Sequence, residues 1–326
     1  MLSHPAVTVD AINDPAMVNA GIELIDQEAL KLQQQSLQAR RVTVRLGTAT
    51  VVFHASNLRV RTRTSVHEGL LAYVVFGQRA RGTVNGLKVR PGMLLAATPD
   101  SEVAFVVEAG WENLAFLIPP SLIGEHLAIR LPDREFHLPK GVETLLVSER
   151  KAQNLFDWGK RLVDAAELDP AMFNESKNMR DAAQFELIET LLTTLDEARD
   201  LKPSRSDRTG LSRSLIVKTA EAYAVSQSNS KIYVTDLCRA AGVSERTLEI
   251  AFKEIMGLTP IAYLIRLRLH RVRQALLTAT HGSTTVSAES LKWGFWHFGE
   301  FACAYKKCFG ELPSDTLRGQ SKVPAV

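Results

Sequence analysis

The chain has 326 residues, about twice the roughly 150 expected of one domain, so we expect two domains. Hydrophobic residues make up 45% and charged residues 23%, which excludes disordered, collagen-like and disulfide-scaffold proteins. The net charge of +3 is unevenly distributed: residues 211–326 hold 15 Lys and Arg against 9 Asp and Glu, and residues 40–90 hold nine Arg and Lys88 against Glu68 alone. Two such regions indicate two anionic partners.

The N-terminal sequence MLSHPAVTVDAINDPAM lacks the basic start and the apolar run of a signal peptide. The longest apolar run, residues 70–76, is far too short to span a membrane. The three cysteines, Cys238, Cys303 and Cys308, include no C-x-x-C pair and indicate neither a disulfide framework nor a zinc site. We therefore expect a cytoplasmic protein with no membrane partner, no metal and no cofactor.

From about residue 41 to 118, short apolar or alternating runs are separated by turn residues, a pattern typical of an antiparallel barrel or sandwich. Asn85-Gly86 is the strongest hairpin signal, because both residues tolerate positive φ. The segment VNGLKVRPGMLLAATPDSE resembles the end of a cupin-type barrel. The nine runs are VTVRL, ATVVFH, LRVRTRT, LLAYVVF, RARGTV, LKV, MLLAA, EVAFVVE and NLAFLI.

Two helical patterns follow, near residues 144–168 and 179–199. The second has an apolar stripe that packs on the barrel or pairs with a second subunit. Residues 201–212 are polar, rich in Pro, Gly and Ser, and without periodicity, which predicts an interdomain linker.

The residue pattern at positions 234–257 is typical of a helix-turn-helix unit. A short helix carries apolar Leu237, Gly242 supplies the left-handed turn, Val243 fills the corner, and Ser244 is placed to cap the next helix. The predicted buried positions of that second helix are Leu248, Ala251 and Phe252. Its predicted outward positions are Glu245, Arg246, Glu249, Ile250 and Lys253.

The same residue pattern is repeated at positions 285–318, with Gly294 at the turn, Phe295 at the corner, and Phe301 and Tyr305 on the buried face. Between the units, Pro260 opens a long helix at a position where its missing N–H costs nothing. Two such units joined by one amphipathic helix are a far more specific signal than either unit alone.

These segments resemble the AraC/XylS transcription regulators, through LCRAAGVSERTLEIAFKEIMGLTPIAYLIRLRLHRVRQALL and GFWHFGEFACAYKKCFGELPSDTLR. Within that family the chain is most similar to the branch of the ethanolamine-operon regulator. The resemblance implies seven helices, with two recognition helices in successive major-groove segments about 34 Å apart. The implied architecture is α+β and multidomain. A sensing and dimerisation domain at 1–200 consists of a cupin-like antiparallel β-barrel with appended helices, and an all-α DNA-binding domain follows at 213–320.

The resemblance also implies the DNA-contacting residues. An arginine can bond guanine O6 and N7, and a glutamate can accept from cytosine N4. The second recognition helix carries small residues, so we expect it to read shape and backbone more than bases. The candidate DNA contacts are Ser244, Arg246, Thr247, Glu249, Ile250, Lys253, Arg268, His297, Phe298, Gly299, Ala302, Cys303, Lys306, Lys307 and Arg318.

Three departures from the family pattern concern the second unit. Glu300 would repel a nearby phosphate, and Glu289 and Ser290 occupy positions that are usually apolar and small. We therefore expect looser packing in this unit.

The arginines of residues 40–90 form rows, because residues two or four apart share one face of a strand. Arginine suits phosphates and guanine edges, so we predict an anion site. The candidate ligand contacts are Arg41, Arg45, Arg61, Arg63, Arg79 and Arg81. RVTVR (41–45) also matches the R-x-x-x-R motif of PilZ-type cyclic di-GMP receptors, although the companion D/N-x-S-x-x-G motif is absent.

Our expectation is a transcription regulator, an activator that works as a homodimer and contacts double-stranded DNA and RNA polymerase. The expected effector is a small anion, best matched by cyclic di-GMP, as the sensor resembles AraC-like activators of exopolysaccharide genes. One alternative is a neutral or cationic metabolite in the barrel. The other is a cupin-type enzyme fused to a DNA-binding module, although the histidines show no cupin metal spacing and we expect no enzyme activity.

Overall fold

The computed structural model describes residues 5–19, 23–33, 35–99, 101–130, 138–227, 232–280 and 282–320. All nine runs expected between residues 41 and 118 form strands, which confirms that part of the sequence analysis. In chain order the strands of the described residues are β1 (Val7–Ile12), β2 (Ile25–Lys31), β3 (Ala39–Leu46), β4 (Ala49–Ser56), β5 (Val60–Val66), β6 (Leu71–Phe76), β7 (Gly82–Val84), β8 (Leu87–Lys88), β9 (Met93–Ala97), β10 (Glu102–Val107), β11 (Trp111–Ile118), β12 (Val142–Leu146) and β13 (Arg199–Asp200).

The strands form two antiparallel sheets. Sheet 1 has the order β1-β3-β4-β11-β6-β9-β12-β13, and sheet 2 has the order β2-β5-β10-β7-β8. The expected barrel is therefore not closed. The sheets instead stack face to face, because alternate side chains of both, such as Val74 and Leu95 on one and Val84 and Val103 on the other, share one apolar core.

The other face of sheet 1 is covered by helices. Tyr73 and Val75 pack in the helix-side core with Leu187 and Leu191, whereas Val74 packs toward sheet 2. Burial on both faces explains why LLAYVVF is a continuous apolar run rather than an alternating one. The N-terminal helices are α1 (Pro120–Arg130), α2 (Glu149–Leu168), α3 (Pro170–Glu175) and α4 (Lys177–Leu195).

The β7–β8 hairpin turns at Asn85 and Gly86, whose φ angles are 49° and 85°, as expected of an Asn-Gly turn. The predicted helix near 144–168 begins later than expected, at Glu149. Val142–Leu146 pairs with β9 instead, and Ser148 caps the helix by accepting from the backbone N–H of Lys151.

Helix α4 packs on sheet 1 through its apolar stripe, which is the first of the two alternatives expected for the helical pattern at 179–199. Residues 201–212, expected to be an aperiodic linker, become helical at Arg205. Ser204 and Asp207 form a capping box that starts this helix. In the described part of the C-terminal region the helices are α5 (Arg205–Ser226), α6 (Val234–Ala241), α7 (Glu245–Met256), α8 (Pro260–Thr278), α9 (Val286–Lys292), α10 (Phe298–Phe309) and α11 (Pro313–Gln320), which agrees with the seven that the resemblance implied.

The C-terminal helices are packed against sheet 2. Leu30 of β2 and Leu32 share a buried cluster with Val217 of α5 and Leu248 and Phe252 of α7. No described helix is both long and apolar enough to cross a membrane.

Candidate DNA interface and ligand cavities

The first helix-turn-helix unit consists of α6, a tight turn and α7. Gly242 has a φ of 64°, the left-handed conformation that glycine adopts at least cost. Ser244 then caps α7 by accepting from the backbone N–H of Thr247 at 3.3 Å, and its hydroxyl lies 2.9 Å from the Thr247 hydroxyl. The sequence-predicted buried residues Leu248, Ala251 and Phe252 are all fully buried.

The opposite face of α7 is open to solvent. Its exposed side chains include a guanidinium, a carboxylate and an ammonium group, so this face can offer hydrogen bonds to base edges and a charge to a phosphate. The candidate contacts on it are Arg246, Thr247, Glu249, Ile250 and Lys253.

The second unit consists of α9, a turn and α10. Gly294 has a φ of 81°, and Phe295 packs on Phe301 with a ring distance of 4.9 Å. Phe301 and Tyr305 are buried as expected. Ser290 is also fully buried, and its hydroxyl donates to the Ser287 carbonyl at 3.0 Å, which satisfies one of the two polar groups that we expected to loosen this unit. The other, Glu289, accepts from the Thr284 hydroxyl through Oε1 at 2.9 Å, whereas its Oε2 has no hydrogen-bond partner among the described residues.

Helix α10 presents a less polar outer face than α7. Ala302 is half-buried, and the other predicted contacts of this helix are exposed. These exposed candidates are His297, Phe298, Gly299, Cys303, Lys306 and Lys307.

Two further predicted phosphate contacts have partners within the chain. Arg268 of α8 is half-buried and donates to the Ile232 carbonyl at 2.9 Å. Arg318 of α11 is exposed and pairs with Asp315 at 2.8 Å. Of the two, Arg318 has the more accessible guanidinium.

The first row of arginines, on β3, binds the N-terminal segment. Arg41 is fully buried; its Nε lies 3.2 Å from Asp10 Oδ2 and its Nη1 donates to the Val18 carbonyl at 2.6 Å. Arg45 donates to the Pro5 carbonyl at 2.9 Å. The R-x-x-x-R pair therefore lies on one strand face, as expected, and both guanidiniums are engaged by residues 5–18.

The second row, on and beside β5, faces the C-terminal helices. Arg61 Nη2 lies 2.5 Å from Glu221 Oε2 of α5, and both side chains are buried. Arg59 donates to the Ile255 carbonyl of α7 at 3.2 Å. The shared face is thus an interdomain contact surface.

Arg63 belongs to the same surface. It pairs with Glu102 at 2.5 Å and with Glu28 at 3.3 Å, and Lys218 of α5 approaches Glu102 to 3.3 Å. Burial opposes the charge of Glu102, but the hydrogen bonds and charges of Arg63 and Lys218 outweigh it and lower the pKa of that carboxyl.

The third pair, Arg79 and Arg81, lies at the turn between β6 and β7. Both are exposed, and Arg81 donates to the carbonyls of Gln78 and Ala80 at 3.2 Å. Arg61 and Arg63 line a cleft of about 650 Å³ between sheet 2 and the C-terminal helices, and the other four candidate arginines are not among its lining residues. The six arginines therefore do not converge on that cleft.

A smaller cavity of about 110 Å³ lies between the two sheets. Its walls are mainly apolar, with side chains such as Val74, Leu117 and Phe105. His54 also lines it, and its Nε2 has no hydrogen-bond partner among the described residues. Burial, assisted by the charge of Arg41, lowers the pKa of His54 to about 3, so the imidazole is neutral at physiological pH.

Sequence reasoning missed the acidic partners. Their charges lie far along the chain from the arginines that they bind, so no local pattern could have paired them. The ion pairs that join the N-terminal region to the C-terminal helices are Arg61–Glu221, Lys218–Glu102, Arg90–Asp207 and Arg273–Asp14. The described residues contain no group of three or more His, Cys, Asp or Glu that could hold a metal ion.

Residues 237–319 match the family described as Helix-turn-helix domain. The probable thc operon regulatory protein of Rhodococcus erythropolis is 37% identical over 103 residues, 32% of this chain and 31% of that protein. The XylDLEGF operon transcriptional activator 2 of Pseudomonas putida is 38% identical over 86 residues, 26% of this chain and 55% of that protein. These curated relatives are thus matched over less than two thirds of their lengths.

A solved structure, a probable AraC family transcriptional regulator from Rhodopseudomonas palustris, is 35% identical and covers 32% of this chain and 96% of that chain, with a TM-score of 0.30. The two units, with outward-facing helices α7 and α10, define the class of helix-turn-helix DNA-binding proteins. The C-terminal domain is therefore a helix-turn-helix domain of the AraC/XylS type, which confirms the resemblance for this part of the chain.

Proposed function

We propose that this chain is a ligand-responsive transcription regulator, an activator that binds DNA as a homodimer through α7 and α10. The observation that carries the proposal is the pair of helix-turn-helix units with solvent-facing recognition helices. Residues 211–326 also carry the excess of positive charge that binding to a phosphate backbone requires. The similarity to a named operon transcriptional activator supports the proposed activator role, and an activator of this kind would contact RNA polymerase.

For the effector, the geometry best supports a small uncharged molecule between the two sheets. The cavity is mainly apolar, has a volume of about 110 Å³, and is comparable to cavities of about 150 Å³ that accept benzene. The Nε2 atom of neutral His54 supplies a polar group that a ligand hydroxyl or carbonyl can satisfy. A charged metabolite is disfavoured there, because burial without a partner is costly.

Cyclic di-GMP remains the anionic candidate. Arg79 and Arg81 are exposed and near each other in the chain, which favours an anion at the β6–β7 turn. Against it, Arg41, Arg61 and Arg63 are already engaged by carboxylates, so a phosphate would have to displace an internal partner at each of them.

DNA recognition is tested by selecting sequences from a randomised duplex library with the full chain. For each chain of the dimer we expect enrichment of two half-sites, one for α7 and one for α10, separated by about one helical turn, 10–10.5 base pairs. Recovery of no sequence preference would contradict the proposal. Sedimentation of the free and DNA-bound protein reports whether the dimer forms.

The two effector candidates are separated by matched variants. Ala115 lines the cavity, so Ala115→Leu should abolish thermal stabilisation by a neutral ligand found in a small-molecule screen, whereas Arg79→Ala with Arg81→Ala should not. In calorimetric titration with cyclic di-GMP the expected order is reversed: Arg79→Ala with Arg81→Ala should remove binding, whereas Ala115→Leu should not. Absence of heat at tens of micromolar cyclic di-GMP would exclude that effector.

A further inference from the structure

Helix α10 begins with aromatic side chains on its outer surface. Trp296 is 63% exposed and Phe298 is 46% exposed, and they lie at the N-terminal end of the helix, where recognition helices meet base edges. A β-carbon placed on the neighbouring Gly299 would meet nothing within 4 Å. The surface beside the Phe298 ring is therefore open to an approaching partner.

The side chain of Phe298 lies outside the aromatic core of the same unit. In that core, Phe301 packs on Phe295 at 4.9 Å and on Tyr305 at 5.7 Å, and Tyr305 packs on Phe309 at 4.7 Å. Packing within the unit thus accounts for the buried rings, whereas the exposed rings present apolar area to water at a cost of about 25 cal/mol per Å².

Next to Phe298, the exposed side chains that can hydrogen-bond to bases are those of His297 and Glu300. Ala302 and Cys303 are short, and Gly299 has no side chain. Basic side chains flank this apolar end: Lys292, Lys306 and Lys307 are all exposed. An apolar tip between ammonium groups matches the major groove, where base edges lie between two rows of phosphates.

The apolar group that a base presents in the major groove is the C5-methyl group of thymine. We propose that Phe298, flanked by Trp296, selects thymine in the second half-site by contact with this methyl group. The inference rests on the proposed DNA-binding function and refines it. Helix α7 then reads its half-site by hydrogen bonds, and α10 reads its half-site by apolar contact.

The test replaces each thymine of the selected second half-site by deoxyuridine, which lacks the methyl group and keeps the same hydrogen-bonding groups. At one or two positions, the affinity of the full chain should fall about fourfold, the equivalent of one buried methyl group. Deoxyuridine in the first half-site, away from α10, is the matched DNA control.

Phe298→Ala should weaken binding and remove the sensitivity to deoxyuridine at the same positions. Phe298→Gln should shift the preference at that position toward adenine, which glutamine bonds through N6 and N7. Leu215→Ala removes from α5 an apolar side chain that is even more exposed than Phe298, and it should leave the sensitivity unchanged.

The outcomes separate the two proposals. If the full chain shows no sequence preference, the proposed function fails. If it binds a selected site but deoxyuridine in the second half-site changes nothing, the thymine contact is refuted and the function stands. Should Phe298→Ala not fold, the deoxyuridine series on the unaltered chain decides the question by itself.

Discussion

Arg61 of β5 and Glu221 of α5 form an ion pair across the contact between sheet 2 and the C-terminal helices, with an Nη2–Oε2 distance of 2.5 Å. The two side chains are 2% and 3% exposed. A second contact, from Arg61 Nε to Glu221 Oε1, measures 3.4 Å, so the arrangement is bidentate. This pair ties the strand face that carries Arg59 and Arg63 to the DNA-binding domain.

We predict that Glu221→Gln lowers the free energy of unfolding by about 3–5 kcal/mol, because Arg61 would keep a buried charge without its counter-ion. The measurement is urea unfolding of the full chain. Arg61→Leu combined with Glu221→Leu should recover most of the loss. The control is Arg81→Ala, at an exposed arginine outside the interdomain surface, which should change the free energy of unfolding by less than about 0.5 kcal/mol. Equal losses in Glu221→Gln and Arg81→Ala would contradict a stabilising role of the Arg61–Glu221 pair.

Gly210 of α5 and Gly86 of the β7–β8 turn bring their backbones into direct contact. A β-carbon on Gly210 would overlap the Gly86 carbonyl oxygen, and one on Gly86 would overlap the Gly210 carbonyl oxygen. Gly210→Ala should therefore destabilise the chain, although alanine favours a helix by about 1 kcal/mol over glycine. Gly124→Ala in α1, where a β-carbon meets nothing within 4 Å, should be neutral or stabilising. Thermal unfolding of the two variants compares them, and equal midpoints would count against the contact.

Stability should decrease as the pH falls from 7 to 5. Burial lowers the pKa of His54 to about 3 and that of His270 to about 4, whereas the pKa of each histidine is about 6.5 in the unfolded chain. Between these values the unfolded chain binds more protons, so each histidine reduces the free energy of unfolding by about 1–2 kcal/mol at pH 5. Below the folded pKa values this loss stops growing.

The pH dependence is measured by urea unfolding at pH 7 and pH 5. The double variant with His54→Gln and His270→Gln should show a smaller decrease than the unaltered chain. His297→Gln, at an exposed position, is the matched control and should leave the decrease as it is. A double variant as sensitive as the unaltered chain would show that other groups are responsible.

Arg246 and Lys253 should differ in how they affect DNA binding. If Arg246 bonds guanine, Arg246→Ala costs about 1–3 kcal/mol at the selected site and relaxes specificity at one base position. Lys253→Ala should weaken binding to all sequences and reduce the salt dependence, as expected of a phosphate contact. Affinity measured on the selected and a scrambled duplex at two salt concentrations distinguishes the two roles. Equal weakening of both duplexes by Arg246→Ala would make it a phosphate contact instead.

Local patterns predicted the strands and helices because their causes are local. Gly242 and Gly294 adopt the left-handed turns that the sequence required, and Ser244 caps the helix that follows it. Residues 201–212 were expected to be aperiodic, but the capping box of Ser204 and Asp207 starts a helix within this segment of weak periodicity. That these residues link two domains stays a prediction. The cavity between the sheets had no signal, since its walls come from strands distant in the chain.

Each helix-turn-helix unit depends on residues within about 35 positions of one another, so the sequence alone was sufficient to predict both units. It also determined that the arginines of β3 and β5 form rows, since alternation is a property of a single strand. Only the tertiary structure decided what those rows bind. Arg61 pairs with Glu221, which lies 160 positions away in the chain, and Arg41 pairs with Asp10 in another strand. Coulombic partners are selected by distance in space. Half of the ten cations of residues 40–90 contact the N-terminal segment or the C-terminal helices, namely Arg41, Arg45, Arg59, Arg61 and Arg90.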